Sequence, residues 1–200
     1  MLKRAALGFR AHSGWAALVA LTGSASAPAV ILRRRLEIAD PKISGSKQPF
    51  HAAEPMKFAD AETYIQRCKE LTRSLAEAAV QAAVAELSAM GLRITGSCVL
   101  QGSGKPTPDL AKILSAHPLI HTAEGQFFRN ALQQACGSCR LKVTAVKERE
   151  LLNHASTVLR IPVADLERRS AELGKGIGPP WTQDQKLSAI AAWLVLADQH

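Results

Sequence analysis

Leu141-Lys-Val-Thr-Ala-Val146 alternates apolar and polar side chains from its first residue through Ala145, the period-two pattern of a strand with one face buried. It is the clearest strand in the chain, and helical patterns flank it. Upstream, Phe127, Phe128, Ala131, Leu132 and Ala135 form one face of a helix that ends near Gly137. Downstream, helical spacing covers 148–159 and 163–173, a Gly/Pro loop runs from Gly174 to Pro180, and a last helix extends from Thr182 to about Ala197. Further out, Ala61, Tyr64, Ile65, Cys68, Leu71, Leu75, Ala78, Ala82, Leu87 and Met90 keep three-and-four spacing, and Gly91 stands where a C-terminal cap belongs. Arg93-Ile-Thr-Gly-Ser-Cys-Val-Leu100 then reads as a second strand. Helix, strand, helix, strand, helix is the order of a layered, helix-rich α/β domain with a small mixed sheet.

The 200 residues, 47% hydrophobic and 21% charged, suffice for one globular core and exclude a wholly disordered or fibrous chain. The apolar run Trp15 to Leu21 falls far short of the roughly 18 residues of a bilayer span. The net charge of +8 is uneven: residues 1–50 hold eight Lys/Arg against two acids, and residues 51–200 hold seventeen against fifteen. No acid precedes Glu37, and Lys3, Arg4 and Arg10 lead into Trp15–Leu21 and Ala25-Ser-Ala27. This is the outline of a signal peptide cleaved after Ala27, and equally of a disordered or organelle-targeting leader. Residues 1–29 are therefore set apart from the fold, residues 30–57 are expected to be an N-terminal strand and loop, and residues 58–200 form a single, nearly neutral α/β domain. Four scattered cysteines point to reduced thiols and a cytoplasmic protein, with export the alternative if residues 1–27 act as a signal.

Several motifs reduce to structure. Gln101-Gly-Ser-Gly-Lys-Pro-Thr107 fails as a phosphate loop, because Val99 stands where the first glycine belongs and Pro106 where the hydroxyl belongs. No nucleotide cofactor is expected. Cys136-Gly-Ser-Cys139 closes a helix, whereas a redox pair opens one. His117-Pro-Leu-Ile-His-Thr-Ala-Glu-Gly125 offers two readings. If helical throughout, His117, His121 and Glu124 share a face and can hold one metal ion; if Leu119–Thr122 is a strand, Thr122 caps the next helix and Glu124 complements its dipole. Lys147-Glu-Arg-Glu150 follows the best strand, where open α/β sheets bind ligands, although such charges also open solvated helices. Thr182 as N-cap accounts for Asp184 and Gln185 but not for Lys186, a cation at the positive end of a helix dipole that an anionic partner would explain.

The stretches Gly102-Ser-Gly-Lys-Pro106, Ile120-His-Thr-Ala-Glu-Gly125 and Gly178-Pro-Pro-Trp-Thr-Gln-Asp-Gln-Lys186 resemble an uncharacterised family of bacterial proteins, from about Ile31 to Leu196. The order of Glu124 before Phe127-Phe128-Arg129-Asn130, the 141–146 strand before Glu148, and Asp184 ahead of Leu187-Ser-Ala-Ile190 resembles the RNase H-like fold of bacterial Holliday junction resolvases. That resemblance implies a metal-dependent phosphodiesterase, or nuclease, acting on nucleic acid. Glu124, Glu148 and Asp184 would hold Mg²⁺ or Mn²⁺, His121 would relay a proton or add a ligand, and Lys105, Arg129 and Lys186 would contact phosphate. Two departures stand out: the first-strand Asp-Gly pair of that fold has no counterpart, Asp40-Pro41 falling in loop-like sequence, and Lys186 replaces a second acid. The alternatives are a non-catalytic α/β module that binds a partner protein or small anion, and a mononuclear metal protein using His117, His121 and Glu124.

Overall fold

The structure, a computed structural model, describes residues 3–104 and 109–198. Five strands form one mixed sheet: β1 (Lys3–His12), β2 (Trp15–Gly23), β3 (Pro28–Glu37), β4 (Leu92–Gln101) and β5 (Val143–Lys147), in the order β3-β2-β1-β4-β5. The β1–β2 and β2–β3 pairs are antiparallel, whereas β1–β4 and β4–β5 are parallel. The helices are α1 (Pro49–Ala53), α2 (Phe58–Ala89), α3 (Leu110–Leu114), α4 (His117–Ser138), α5 (Leu151–Leu159), α6 (Val163–Glu172) and α7 (Gln183–Ala197), with one 3₁₀ turn at Glu148–Glu150.

The segment set apart as a leader supplies the middle of this sheet. β1 lies between β2 and β4, and Ala16 to Leu21 of β2 are at most 1% exposed. A strand covered on both faces reads as a continuous apolar run, which is the same signal a short secretory core gives. Residues 1–29 thus belong to the sheet with the rest, and cleavage after Ala27 would remove two of its five strands. Their cations come with them, so the domain is basic rather than nearly neutral. Part of that charge is neutralised on β3, where Arg34 and Arg35 pair with Glu86 and Glu37, while Arg33 donates to the Gly178 and Pro180 carbonyls (2.6 and 2.7 Å).

Successive strand residues face opposite layers. Leu7, Phe9, Leu18 and Val99 pack against α2 and α4, whereas Ala6, Val19, Leu21, Cys98 and Leu100 pack against α5, α6 and α7. The inward face of α2 is Ala61, Cys68, Thr72, Ala76, Val80, Ala83 and Leu87. Ala78, Ala82 and Met90, expected inside, are exposed, because an alanine-rich helix satisfies three-and-four spacing on two adjacent faces. The small inward residues let this 32-residue helix lie close to α4. α7 is buried on all sides from Leu187 to Leu196. It crosses β1 so closely that a Cβ on Gly8 would stand 1.9 Å from the Ser188 carbonyl oxygen.

The remaining elements follow local chemistry. Asp109 caps α3 by accepting from the Lys112 amide (2.9 Å); Lys105 lies outside the described residues. Pro118 sits in the first turn of α4, so the continuous helical reading of 117–125 holds and Glu124 is inside the helix, 5% exposed. At α7 the Thr182 amide donates to Gln185 Oε1 (2.8 Å), as a capping box does. All four cysteines are free thiols, and burial pushes Cys136 up to about 11.

Candidate functional site

The carboxyl ends of β1, β4 and β5 open on one side of the sheet, beside the start of α7. Arg10, near the end of β1, projects from the central strand into this crevice. Its Nη2 and Nε donate to the two carboxylate oxygens of Glu148 at 2.7 and 3.0 Å, and its Nη1 donates to Asp184 Oδ1. Glu148 opens the turn directly after β5, and Asp184 lies in the first turn of α7. One guanidinium therefore ties the ends of two strands to a helix. His12, two residues on and stacked on Trp15 with ring centroids 4.2 Å apart, reaches the same Asp184 oxygen through Nε2 at 2.9 Å.

The electrostatics follow from this pairing. Hydrogen bonding to Glu148, against desolvation and with help from Asp184, raises the already high pKa of Arg10. Burial works to raise the carboxyl of Asp184, but the bonds from Arg10 and His12 outweigh it and hold the group below the ordinary aspartate range. Asp184 is thus held in its ionised form by cationic and hydrogen-bonding side chains of the chain itself.

Next to this clamp an open crevice of about 540 Å³ is lined by Gln101, Gly102, Ser103, Glu148, Arg149 and Gln183, among others. Arg129, on α4, is half-buried at its side. A Cβ on Gly102 or Gly125 would approach its Nη2 to 2.8 or 2.7 Å, so the two glycines form a slot that only the guanidinium fills. Burial lowers the pKa of Arg129, with Glu148 opposing, and no acceptor bonds it among the described residues. Lys186 likewise has no side-chain partner among them.

The expected three-acid rim is therefore met in part. Glu148 and Asp184 converge, but through Arg10, and Arg129 stands beside them. Glu124 faces α1 instead: its Oε1 accepts from the Phe50 and His51 amides (2.9 and 3.1 Å) and lies 3.1 Å from His51 Nδ1. His121 contacts His117, with Nε2 atoms 3.1 Å apart, rather than the crevice. Arg10, His12 and His51 escaped the sequence reading. The available signal for Arg10 was a cation closing the apolar run Ala5–Phe9; His51, after Pro49-Phe50, carried none.

This donor set does not fit a pair of divalent ions. Mg²⁺ requires near-octahedral oxygen ligation, yet the two acids that meet already share a guanidinium, and β4 ends in the neutral Gln101. A cation entering between Glu148 and Asp184 would have to displace Arg10.

No family model and no curated protein sequence matches the chain. Solved structures do. The chain is similar to the RuvC structure of Thermus thermophilus, with TM-score 0.54, 10% identity, and 95% of this chain and 92% of that one covered. It is also similar to T. thermophilus RuvC in complex with a Holliday junction substrate, with TM-score 0.55, 8% identity, and coverage of 96% and 91%. The chain therefore shares the RNase H-like fold of these RuvC structures. Among the described residues no helix is long and apolar enough to cross a membrane.

Proposed function

We propose that this chain is a nucleic-acid-binding module of RNase H-like fold that holds branched DNA without hydrolysing it. The observation that carries this reading is Arg10. It stands at the carboxyl end of the central strand and occupies both acids that a hydrolytic centre at this crevice would need. A guanidinium supplies the positive charge that stabilises the two carboxylates, but it offers no water ligand of lowered pKa and therefore no nucleophile.

Binding is supported by different residues. Arg129 presents a desolvated guanidinium with donors to spare, suited to bidentate contact with a phosphate. Lys186 adds a cation at the start of α7, and Arg149 lines the crevice wall. The net charge of +8 agrees with an electrostatic footprint, and one similar structure is that of a resolvase with its junction. Lys105, outside the described residues, belongs to the same proposed phosphate-contacting set.

A metal-dependent phosphodiesterase is the second reading, favoured by the survival of Glu148 and Asp184 at one crevice. One experiment separates the two. A labelled four-way DNA junction is titrated with the protein at physiological salt, with millimolar Mg²⁺ or Mn²⁺ added. The proposal expects a Kd below about 1 μM, tighter than ordinary non-specific binding. It also expects about tenfold weakening in R129A, the loss of one charge-assisted contact, and an intact junction throughout. Strand cleavage that disappears in D184N establishes the hydrolase instead. Absence of binding to junction and duplex alike removes the nucleic-acid reading.

A further inference from the structure

On the face formed by α1 and α4, away from the Arg10 clamp, three imidazoles converge. His117 and His121 lie one turn apart on α4, and His51 comes from α1. One ligand nitrogen from each falls within 4.8 Å of the other two. The His117 and His121 Nε2 atoms are 3.1 Å apart, against about 3.3 Å for two nitrogens bound at 2.0–2.1 Å to one tetrahedral ion. Their ring planes are nearly perpendicular, with centroids 4.6 Å apart, so the short approach is not a stacking contact.

The outer contacts of these rings are those of metal-binding histidines. Glu124 Oε1 lies 3.1 Å from His51 Nδ1, and Glu54 Oε1 lies 3.7 Å from His117 Nδ1. The Glu124 contact on His51 Nδ1 fixes the tautomer that carries its proton there and leaves the His51 Nε2 lone pair free for a cation, whereas Glu54, at 3.7 Å, places negative charge near His117 without a hydrogen bond. The carboxylate of Glu124 is itself held by two backbone amides, and its second oxygen is buried with no hydrogen-bond partner among the described residues. An ionised, half-satisfied carboxylate is costly there unless positive charge lies close by.

From this geometry we infer that His51, His117 and His121 form a binding site for one divalent transition-metal ion of zinc type, with Glu124 as the positioning residue behind His51. Imidazole nitrogens suit Zn²⁺ far better than Mg²⁺. Three protein ligands leave a fourth position, which falls to water because His117 is 58% exposed. The ion also has a mechanical role. α1 is a five-residue helix at the end of a long connection from β3, and a metal bridging His51 to α4 clasps that connection against the domain.

The test is calorimetric titration of the full chain with Zn²⁺, together with thermal melts with and without the ion. One equivalent is expected to bind and to raise the Tm. H121A is expected to lose the site, with more than 100-fold weaker binding and no Zn²⁺-dependent shift in Tm. Because His121 is exposed, that variant folds. E124Q is expected to bind about 10- to 100-fold more weakly, the usual effect of losing a carboxylate behind a ligating histidine. H154A, a substitution on the exposed surface of α5, is expected to bind as the parent does. No binding heat from Zn²⁺, or binding that H121A and H154A affect equally, overturns the inference. None of these outcomes depends on nucleic-acid binding.

Discussion

Arg10 and Glu148 meet in a two-pronged hydrogen bond across 138 residues of sequence, with N–O distances of 2.7 and 3.0 Å, and the third arm of the same guanidinium takes Asp184. The Arg10 and Asp184 side chains are 21% exposed and Glu148 is 39%, so the cluster is neither a solvated surface pair nor a fully buried one. Between those limits, R10A is expected to destabilise the protein by about 1–2 kcal/mol, since it leaves two acids side by side without their cation. For a domain of this size that lowers Tm by roughly 3–6 °C, measured in chelator at neutral pH. R10K keeps the charge but cannot grip both acids at once, and its Tm is expected to fall between the two.

Asp184 sets an acid limit to this stability. Its carboxyl is held below the ordinary value of 3.8 in the folded protein, so folding favours the ionised form. The resulting stabilisation is complete above the unfolded pKa and is lost as pH falls through the lower, folded one. Urea unfolding from pH 6 down to pH 2 is expected to show a decline beginning below about pH 4. D184N should be less stable at pH 6 and show a shallower decline.

Gly125 separates the role of Arg129 from folding. It lies inside α4, where alanine is preferred to glycine by up to about 1 kcal/mol, and the atom an added Cβ would meet is the mobile end of Arg129. G125A is therefore expected to keep or raise the Tm while pushing the guanidinium from its slot and weakening binding to the DNA junction. R129A should lower the slope of log K against log salt by about one, as removal of a single phosphate contact does. Unchanged affinity in both variants would remove Arg129 from the interface.

The amino-terminal strands make a sharper demand. β1 supports β2 on one side and β4 on the other, and α7 crosses it at Gly8 with no room for a methyl group. G8A is expected to cost about 3 kcal/mol or more, because the neighbouring atoms are backbone and cannot give way. A chain starting at Pro28 is expected to show neither cooperative melting nor native near-ultraviolet dichroism. Native-like melting of that truncated chain would return residues 1–27 to the status of a leader.

What the sequence revealed depended on how each element is exposed. β5 and α7 were legible because a half-buried strand alternates and Thr182 with Gln185 marks a helix start. α2 was found at nearly its true length, but alanines on neighbouring faces blurred which side turns inward. β1 and β2 were misread because strands covered by helices on both faces lose alternation, leaving only an apolar run with cations before it. Losing β1 also hid Arg10, the basic residue that the first strand brings to the crevice. Glu124 was found as a notable acid yet placed at the wrong rim, because its partner His51 lies 73 residues away on a helix no local pattern announced.

If a guanidinium stands where this crevice would otherwise gather a divalent cation, calorimetric titration of Mg²⁺ into the parent protein and R10A will show it. Mg²⁺ is the right probe because it takes oxygen ligands and passes over the histidine cluster. The parent is expected to give no binding heat, and R10A, its two acids released, is expected to acquire one weak site that D184N abolishes. Mg²⁺ binding by the parent that is lost in D184N would mean that the acids hold the ion with Arg10 in place.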